Sequence, residues 1–135
     1  MHHVVRPNKR SVASLNRRIN GSAPVLVLFH ADWCPHCIAM KPEWEQLVSR
    51  LSGTNARVFE IEHTVVEYIR RNDLASYANV FGYPTVTLFH NQSRSQYSGP
   101  RTAAAMEAWV LSAGVKPAAP RKPRTKRTRE VVSST

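Results

Sequence analysis

The sequence predicts an α/β domain in which a central mixed β-sheet is flanked by helices. Two observations indicate this class: short apolar runs typical of strands alternate with segments of helical periodicity, and the last two predicted strands are separated only by a turn. A third concerns size, because 135 residues with 42% hydrophobic content are enough for one core.

The first half of the chain contains two predicted helices around one strand. Residues 11–20 carry apolar residues at helical spacing, with Ser11 as the expected N-cap. Residues 24–31 form a continuous apolar run, which indicates a strand buried on both faces, as in a parallel sheet. After Cys34 the apolar residues again follow a helical period, and Pro42 is expected to kink that helix.

The second half adds three strands and further helices. Residues 56–63 alternate in polarity and indicate a strand, and residues 64–80 are typical of one or two short helices. Residues 85–90 predict a third strand, with residues 94–99 as its hairpin partner across a turn. Residues 101–114 predict a closing helix.

The net charge of +10 lies at the two ends of the chain. Residues 1–20 carry five Lys or Arg and no acid, and residues 114–135 carry seven and one acid. Residues 21–113 sum to −1, so the body need not itself be a nucleic-acid-binding fold. We therefore divide the chain into a basic N-terminal extension (1–10), a domain (11–114) and a basic tail (115–135).

The tail has little to bury and should be disordered in isolation. Three interpretations remain open: a solubilising terminus, electrostatic binding to nucleic acid or another acidic surface, and a short nuclear-import signal. The residues that would contact a polyanion are Arg121, Lys122, Arg124, Lys126, Arg127 and Arg129.

The only two cysteines, Cys34 and Cys37, open a predicted helix. Structural zinc takes four ligands and there is no second CxxC, so we expect no metal and no cofactor; cysteines without a chemical role are the other alternative. A pair at a helix start favours redox chemistry, because backbone N–H groups and the helix dipole stabilise the Cys34 thiolate. Cys34 would attack and Cys37 would resolve the mixed disulfide. His36 would stabilise the reduced form, and Pro35 would restrict the backbone at the helix start.

The surroundings of this pair resemble the thioredoxin superfamily. The similarity rests on the strand–WC–x–x–C–helix order, on Phe29 and Ala31 ahead of the pair, on Pro42, and on the Tyr83-Pro84-Thr85 segment, and it covers residues 11–113. It implies a thioredoxin fold, protein thiols and disulfides as substrates, and a cis-proline loop against the cysteines. The implied docking surface consists of Trp33, Tyr83, Pro84 and Thr85. The Cys-Pro-His-Cys centre is similar to that of bacterial periplasmic thiol oxidases, and its histidine to that of protein disulfide isomerases.

One departure from the family concerns proton transfer. Thioredoxins and protein disulfide isomerases have a buried carboxylate six residues before the first cysteine, where this chain has Leu28. Val58 stands at the position of the lysine that often accompanies it in thioredoxins. The comparison therefore implies that the proton relay is absent, and the sequence does not place Glu60 or Glu62 near Cys37.

These observations favour an enzyme: a thiol–disulfide oxidoreductase acting on protein cysteines, with disulfide formation or isomerisation favoured over reduction. The alternative is a thioredoxin-fold adaptor tethered to nucleic acid or another polyanion through its basic tails. No apolar run is long enough for a membrane span, and no signal peptide is evident, so we expect a cytoplasmic or nuclear location. An oxidising centre there needs an unidentified redox partner, or packaging in a virion as in large DNA viruses.

Overall fold

The computed structural model describes residues 2–118 and contains a five-stranded sheet with helices on both faces. Its elements, in chain order, are β1 (His2–Val4), α1 (Lys9–Ile19), β2 (Val25–His30), α2 (Pro35–Leu51), β3 (Arg57–Glu62), α3 (His63–Arg71), a 3-10 turn (Ser76–Ala78), β4 (Thr85–His90), β5 (Ser93–Gln96) and α4 (Ala103–Ser112).

The sheet is mixed, as the sequence predicts, with the strand order β1-β3-β2-β4-β5. Strands β1, β3 and β2 are parallel, whereas β4 and β5 form an antiparallel hairpin beside β2. The continuous apolar run of β2 is explained by this order, because a central strand is covered by helices on both faces. In the register of β2 and β3, Leu28 lies directly opposite Glu60.

Two hydrophobic clusters lie on opposite faces of the sheet. Side chains of α1 and α3 cover one face, which includes Val27 and Phe29 of β2. Side chains of α2 and α4 cover the other, which includes Leu26 and Leu28 of the same strand. Because successive side chains of a strand point to opposite faces, Glu60 lies on the α2 face together with Val58. Pro42 is accommodated within a helix that runs without a break from Pro35 to Leu51.

The N-terminal segment corrects two expectations. Residues 1–10 were expected to be an extension outside the domain, but residues 2–4 form β1 and pair with β3. Helix α1 begins at Lys9, ahead of Ser11, because the side chain of Asn8 accepts a hydrogen bond of 2.8 Å from the Ser11 N–H and is the N-cap. The Ser11 hydroxyl instead accepts a bond from the backbone N–H of Arg6.

The basic tail residues that were predicted to contact a polyanion, Arg121, Lys122, Arg124, Lys126, Arg127 and Arg129, lie outside the described residues. Within residues 2–118, no helix combines the length and the apolar character that crossing a membrane requires.

Candidate redox site at the start of helix α2

Strand β2 leads directly into the cysteine pair. The strand ends at His30, and a short loop then places Cys34 as the N-cap of α2, with Pro35 at the first helical position, where its missing N–H costs no hydrogen bond. The Cys34 N–H donates to the Ala31 carbonyl at 3.1 Å, and the Cys34 carbonyl accepts from the Ile38 N–H at 3.0 Å. The backbone on both sides of Cys34 is thereby fixed.

The Cys34 sulfur occupies the position of a capping acceptor. It accepts a hydrogen bond of 3.3 Å from the Cys37 N–H, one of the N–H groups that a helix start leaves unpaired. Burial acts to raise the pKa of the Cys34 thiol, but bonds from the Cys37 side chain and from the N–H groups of Cys37 and His36 outweigh it, so this pKa is lowered overall. Cys34 is therefore the thiol that ionises more readily.

Cys37 has the opposite acidity. Burial, and then its hydrogen bond to Cys34, raise the pKa of the Cys37 thiol to about 11. Both cysteines are free thiols, and their residues are exposed by only 4% and 9%. A neutral Cys37 donating to an ionised Cys34 is thus the favoured arrangement of the reduced pair.

The Tyr83-Pro84-Thr85 segment lies beside the cysteines. The Tyr83 carbonyl is 3.5 Å from the Cys34 sulfur, which donates to it when protonated, and Tyr83 packs against the two cysteines and Ala31. The Tyr83–Pro84 peptide bond is cis. Thr85 is buried, and its hydroxyl donates to the Gly82 carbonyl at 2.7 Å, so it braces this loop rather than presenting a free group.

Trp33 is the most prominent exposed side chain next to Cys34, with 63% of its surface accessible. Its indole N–H donates to His63 Nε2 at 3.3 Å, and His63 Nδ1 contacts the Glu62 carboxylate. The Trp33, His63 and Tyr83 rings meet edge to face, with centroids 5.5 to 6.4 Å apart. His63, 30 residues along the chain from Trp33, had no local signal that would assign it to the site.

His36 and Pro35 lie on the exposed side of the helix start. The contribution of His36 to the Cys34 sulfur comes from its backbone N–H. Among the hydrogen bonds of residues 2–118, none involves its imidazole ring. A positive charge that the sequence analysis missed belongs to Arg101, which favours the thiolate form of both cysteines.

A cavity of about 280 Å³ adjoins Cys37 on the α2 face of the sheet. Leu28, His30, Trp44 and Glu60 are among the residues that line it. One oxygen of Glu60 accepts a hydrogen bond of 3.0 Å from the Trp44 indole and contacts His2 of β1, and the other lies 3.8 Å from His30 Nε2. The structure therefore places Glu60 in a cavity shared with Cys37, which the sequence analysis was unable to do.

Residues 2–118 contain no group of three or more His, Cys, Asp or Glu side chains arranged to hold a metal ion.

Comparison with known proteins agrees with this geometry. A family model described as Thioredoxin matches residues 7–112. A probable protein disulfide-isomerase A4 of Caenorhabditis elegans is 34% identical over 110 residues, which is 80% of this chain and 17% of that protein. A putative protein disulfide-isomerase of Schizosaccharomyces pombe is 38% identical over 88 residues, which is 64% of this chain and 17% of that protein. The chain thus spans about a sixth of the length of these relatives.

Among solved structures, the J-Trx1 fragment of ERdj5 superposes with a TM-score of 0.67 at 18% identity, over 83% of this chain and 51% of that one. At this identity the likeness concerns the fold alone, and the fold agrees with the one that the sequence predicts.

Proposed function

The chain belongs to the thioredoxin family, and we propose that it is a thiol–disulfide oxidoreductase that exchanges disulfides with protein substrates through Cys34 and Cys37. The observation that carries this proposal is the position of the Cys34 sulfur as the cap of helix α2, where it accepts a hydrogen bond of 3.3 Å from the Cys37 N–H. The pKa of Cys34 is lowered, so its sulfur is suited to act as nucleophile and as leaving group. The pKa of Cys37 is raised to about 11, so its thiol stays protonated until it resolves the mixed disulfide.

In the oxidising direction the enzyme begins as the Cys34–Cys37 disulfide. A substrate thiolate attacks the Cys34 sulfur, which forms a mixed disulfide and releases Cys37 as a thiolate that takes up a proton. A second substrate thiolate then attacks the substrate sulfur, which forms the substrate disulfide and releases Cys34 as a thiolate. Two electrons pass from the substrate to the enzyme, and a partner disulfide must reoxidise the pair.

We favour disulfide formation or isomerisation over reduction. A stabilised Cys34 thiolate is a good leaving group, and stabilising the reduced pair makes the disulfide a stronger oxidant. The three hydrogen bonds to the Cys34 sulfur all act in that direction. For isomerisation the reduced enzyme is used instead. Cys34 attacks a substrate disulfide, and the released substrate thiolate attacks a different disulfide of the same substrate. The thiolate freed in that step then attacks the mixed disulfide, which releases Cys34 as a thiolate.

The substrate backbone would dock against Trp33 and the Tyr83-Pro84 loop. Trp33 is an exposed apolar side chain next to the buried Cys34, and Tyr83 packs against both cysteines. Contacts with His63 and Tyr83 hold the Trp33 ring in place, which reduces the entropy lost when a substrate binds.

The experiment that tests this function is the reduction potential of the pair, measured by equilibration with glutathione buffers, acid quenching and mass spectrometry. We expect a potential of roughly −200 mV or higher, compared with about −270 mV for thioredoxin. Cys34→Ser should abolish both disulfide formation in a reduced test protein and reduction of insulin, whereas the matched surface variant Glu107→Gln should keep both.

Two results would count against the proposal. A pair that does not exchange with glutathione disulfide would exclude oxidoreductase activity altogether. A potential near that of thioredoxin, with fast insulin reduction, would keep the oxidoreductase but reverse the preferred direction.

A further inference from the structure

The proposed chemistry needs a proton acceptor for Cys37. To resolve a mixed disulfide, Cys37 must attack as a thiolate, yet burial, the largest cause of the raised pKa of Cys37, also disfavours its thiolate form in the mixed disulfide. The same group must deliver a proton when the pair is reduced. An acid–base group connected to the Cys37 sulfur would therefore control the rate of this step.

The cavity beside Cys37 provides the connection. With a volume of about 280 Å³ it has room for several water molecules, and its lining is partly polar. Other ionisable side chains that line it, Asp32, Lys41 and Glu45, are exposed to solvent. His30 and Glu60 are the two that lie inside, with side chains exposed by only 22% and 20%.

Glu60 reaches the cavity from β3, opposite Leu28 of β2. Its carboxylate has three neighbours from three different elements: Trp44 of α2 donates to it at 3.0 Å, His30 of β2 lies 3.8 Å away, and His2 of β1 contacts it. These contacts hold the carboxylate inside the domain on the Cys37 side of the sheet. The sequence placed a leucine where a relay carboxylate was expected, and the register places a glutamate on the adjacent strand instead.

We propose that Glu60, with His30 beside it, exchanges a proton with Cys37 through water in this cavity. This inference rests on the proposed function. During resolution the Cys37 proton passes through water to Glu60, and the Cys37 thiolate attacks the Cys34 sulfur. The Cys34–Cys37 bond forms, the bond from Cys34 to the substrate breaks, and the substrate leaves as a thiolate. Glu60 then returns the proton to solvent. Reduction of the pair runs through the same steps in reverse.

The test measures the resolution step alone. The reduced protein is mixed with glutathione disulfide, and the Cys34–glutathione mixed disulfide is followed by acid quenching and mass spectrometry at several pH values. In Glu60→Gln the amide oxygen still accepts from Trp44, so the fold is kept while the acid–base group is lost. Glu45→Gln is the matched control, because it makes the same change at the exposed rim of the same cavity.

We expect Glu60→Gln to slow resolution about 100-fold near pH 7, while the first attack by Cys34 keeps its rate. The deficit should shrink by about tenfold for each pH unit above 7, because Cys37 ionises directly as the pH approaches its own pKa. Glu60→Asp should restore part of the rate, and Glu45→Gln should resemble the unchanged protein. The other ionisable groups that line the cavity or lie near Glu60 and Cys37, which are His2, His30, Asp32, Lys41 and Arg101, are the same in all these variants.

Three outcomes would overturn the inference. Equal rates in Glu60→Gln and the unchanged protein would show that Glu60 takes no part, although the oxidoreductase would stand. A deficit of the same size at every pH would assign Glu60 a structural role only. If no mixed disulfide forms with the unchanged protein, the proposed function fails and this inference fails with it.

Discussion

Replacing Cys37 by alanine should make Cys34 less reactive, although Cys34 itself is untouched. The variant removes the side-chain hydrogen bond from Cys37 to the Cys34 sulfur and keeps the backbone bond of 3.3 Å from the Cys37 N–H. Hydrogen bonds to charged acceptors contribute about 1.5–3 kcal/mol, and an S–H is a weak donor, so about 1.4 kcal/mol is a reasonable value here. At pH values below the pKa of Cys34, the fraction of Cys34 present as thiolate should then fall about tenfold.

The rate will fall by less than the thiolate fraction. A thiolate becomes more nucleophilic as its pKa rises, with a Brønsted coefficient of about 0.5, so a tenfold loss of thiolate is offset by about a threefold gain in reactivity. We therefore expect iodoacetamide to alkylate the Cys34 sulfur about three times more slowly in Cys37→Ala than in the unchanged protein. The midpoint of the rate–pH curve should also move to higher pH, since the stabilising donor is lost.

The matched control is Cys37→Ser, whose hydroxyl is of similar size to the thiol and donates a stronger hydrogen bond. Its rate should match or exceed that of the unchanged protein. The reasoning would be refuted if Cys37→Ala and Cys37→Ser gave the same rate and the same midpoint, because the side-chain hydrogen bond would then have no part in the acidity of Cys34.

Two further predictions concern stability. Burial acts to raise the pKa of Glu62, but hydrogen bonds from Thr64 and His63 lower it to about 2. The Glu62 carboxylate therefore makes its full contribution to the free energy of unfolding above pH 4.5, and this contribution is lost as the pH falls through about 2. In urea unfolding, Glu62→Gln should cost about 1 kcal/mol near pH 7 and close to nothing near pH 2, whereas a constant cost would contradict this account. Gly114→Ala should cost about 1 kcal/mol or more, because Gly114 has φ +105°, whereas Gly53→Ala, where an added Cβ meets nothing within 4 Å, should be nearly neutral in the same assay.

Most helices and strands were predictable because their signals are local. The apolar run that became β2 and the helical period that became α2 depend only on neighbouring residues, and β2 was found within one residue of its predicted bounds. Strand β1 was missed because three exposed residues carry no period. It forms because β3 offers an open edge, and that edge is a property of the sheet rather than of the first four residues.

The candidate site shows the same division. The cysteine pair and its position at a helix start follow from the spacing of residues 34 and 37, but the polar groups around the pair come from other parts of the chain. His63 meets Trp33 across 30 residues, and Glu60 reaches the Cys37 cavity only because β3 pairs with β2 in one particular register. A shift of that register by one residue would turn Glu60 to the α1 face of the sheet, so no pattern within β3 alone could have assigned it.

The unpredicted first strand and the proposed proton acceptor are connected. Because β1 pairs with β3, His2 is brought to the carboxylate of Glu60, and Val5 is buried against the same strand, with its N–H donating to the Glu60 carbonyl at 2.9 Å. Glu60 is therefore held at its side chain and at its backbone by residues that the sequence analysis had placed outside the domain. The N-terminal strand thus belongs to the site as well as to the sheet.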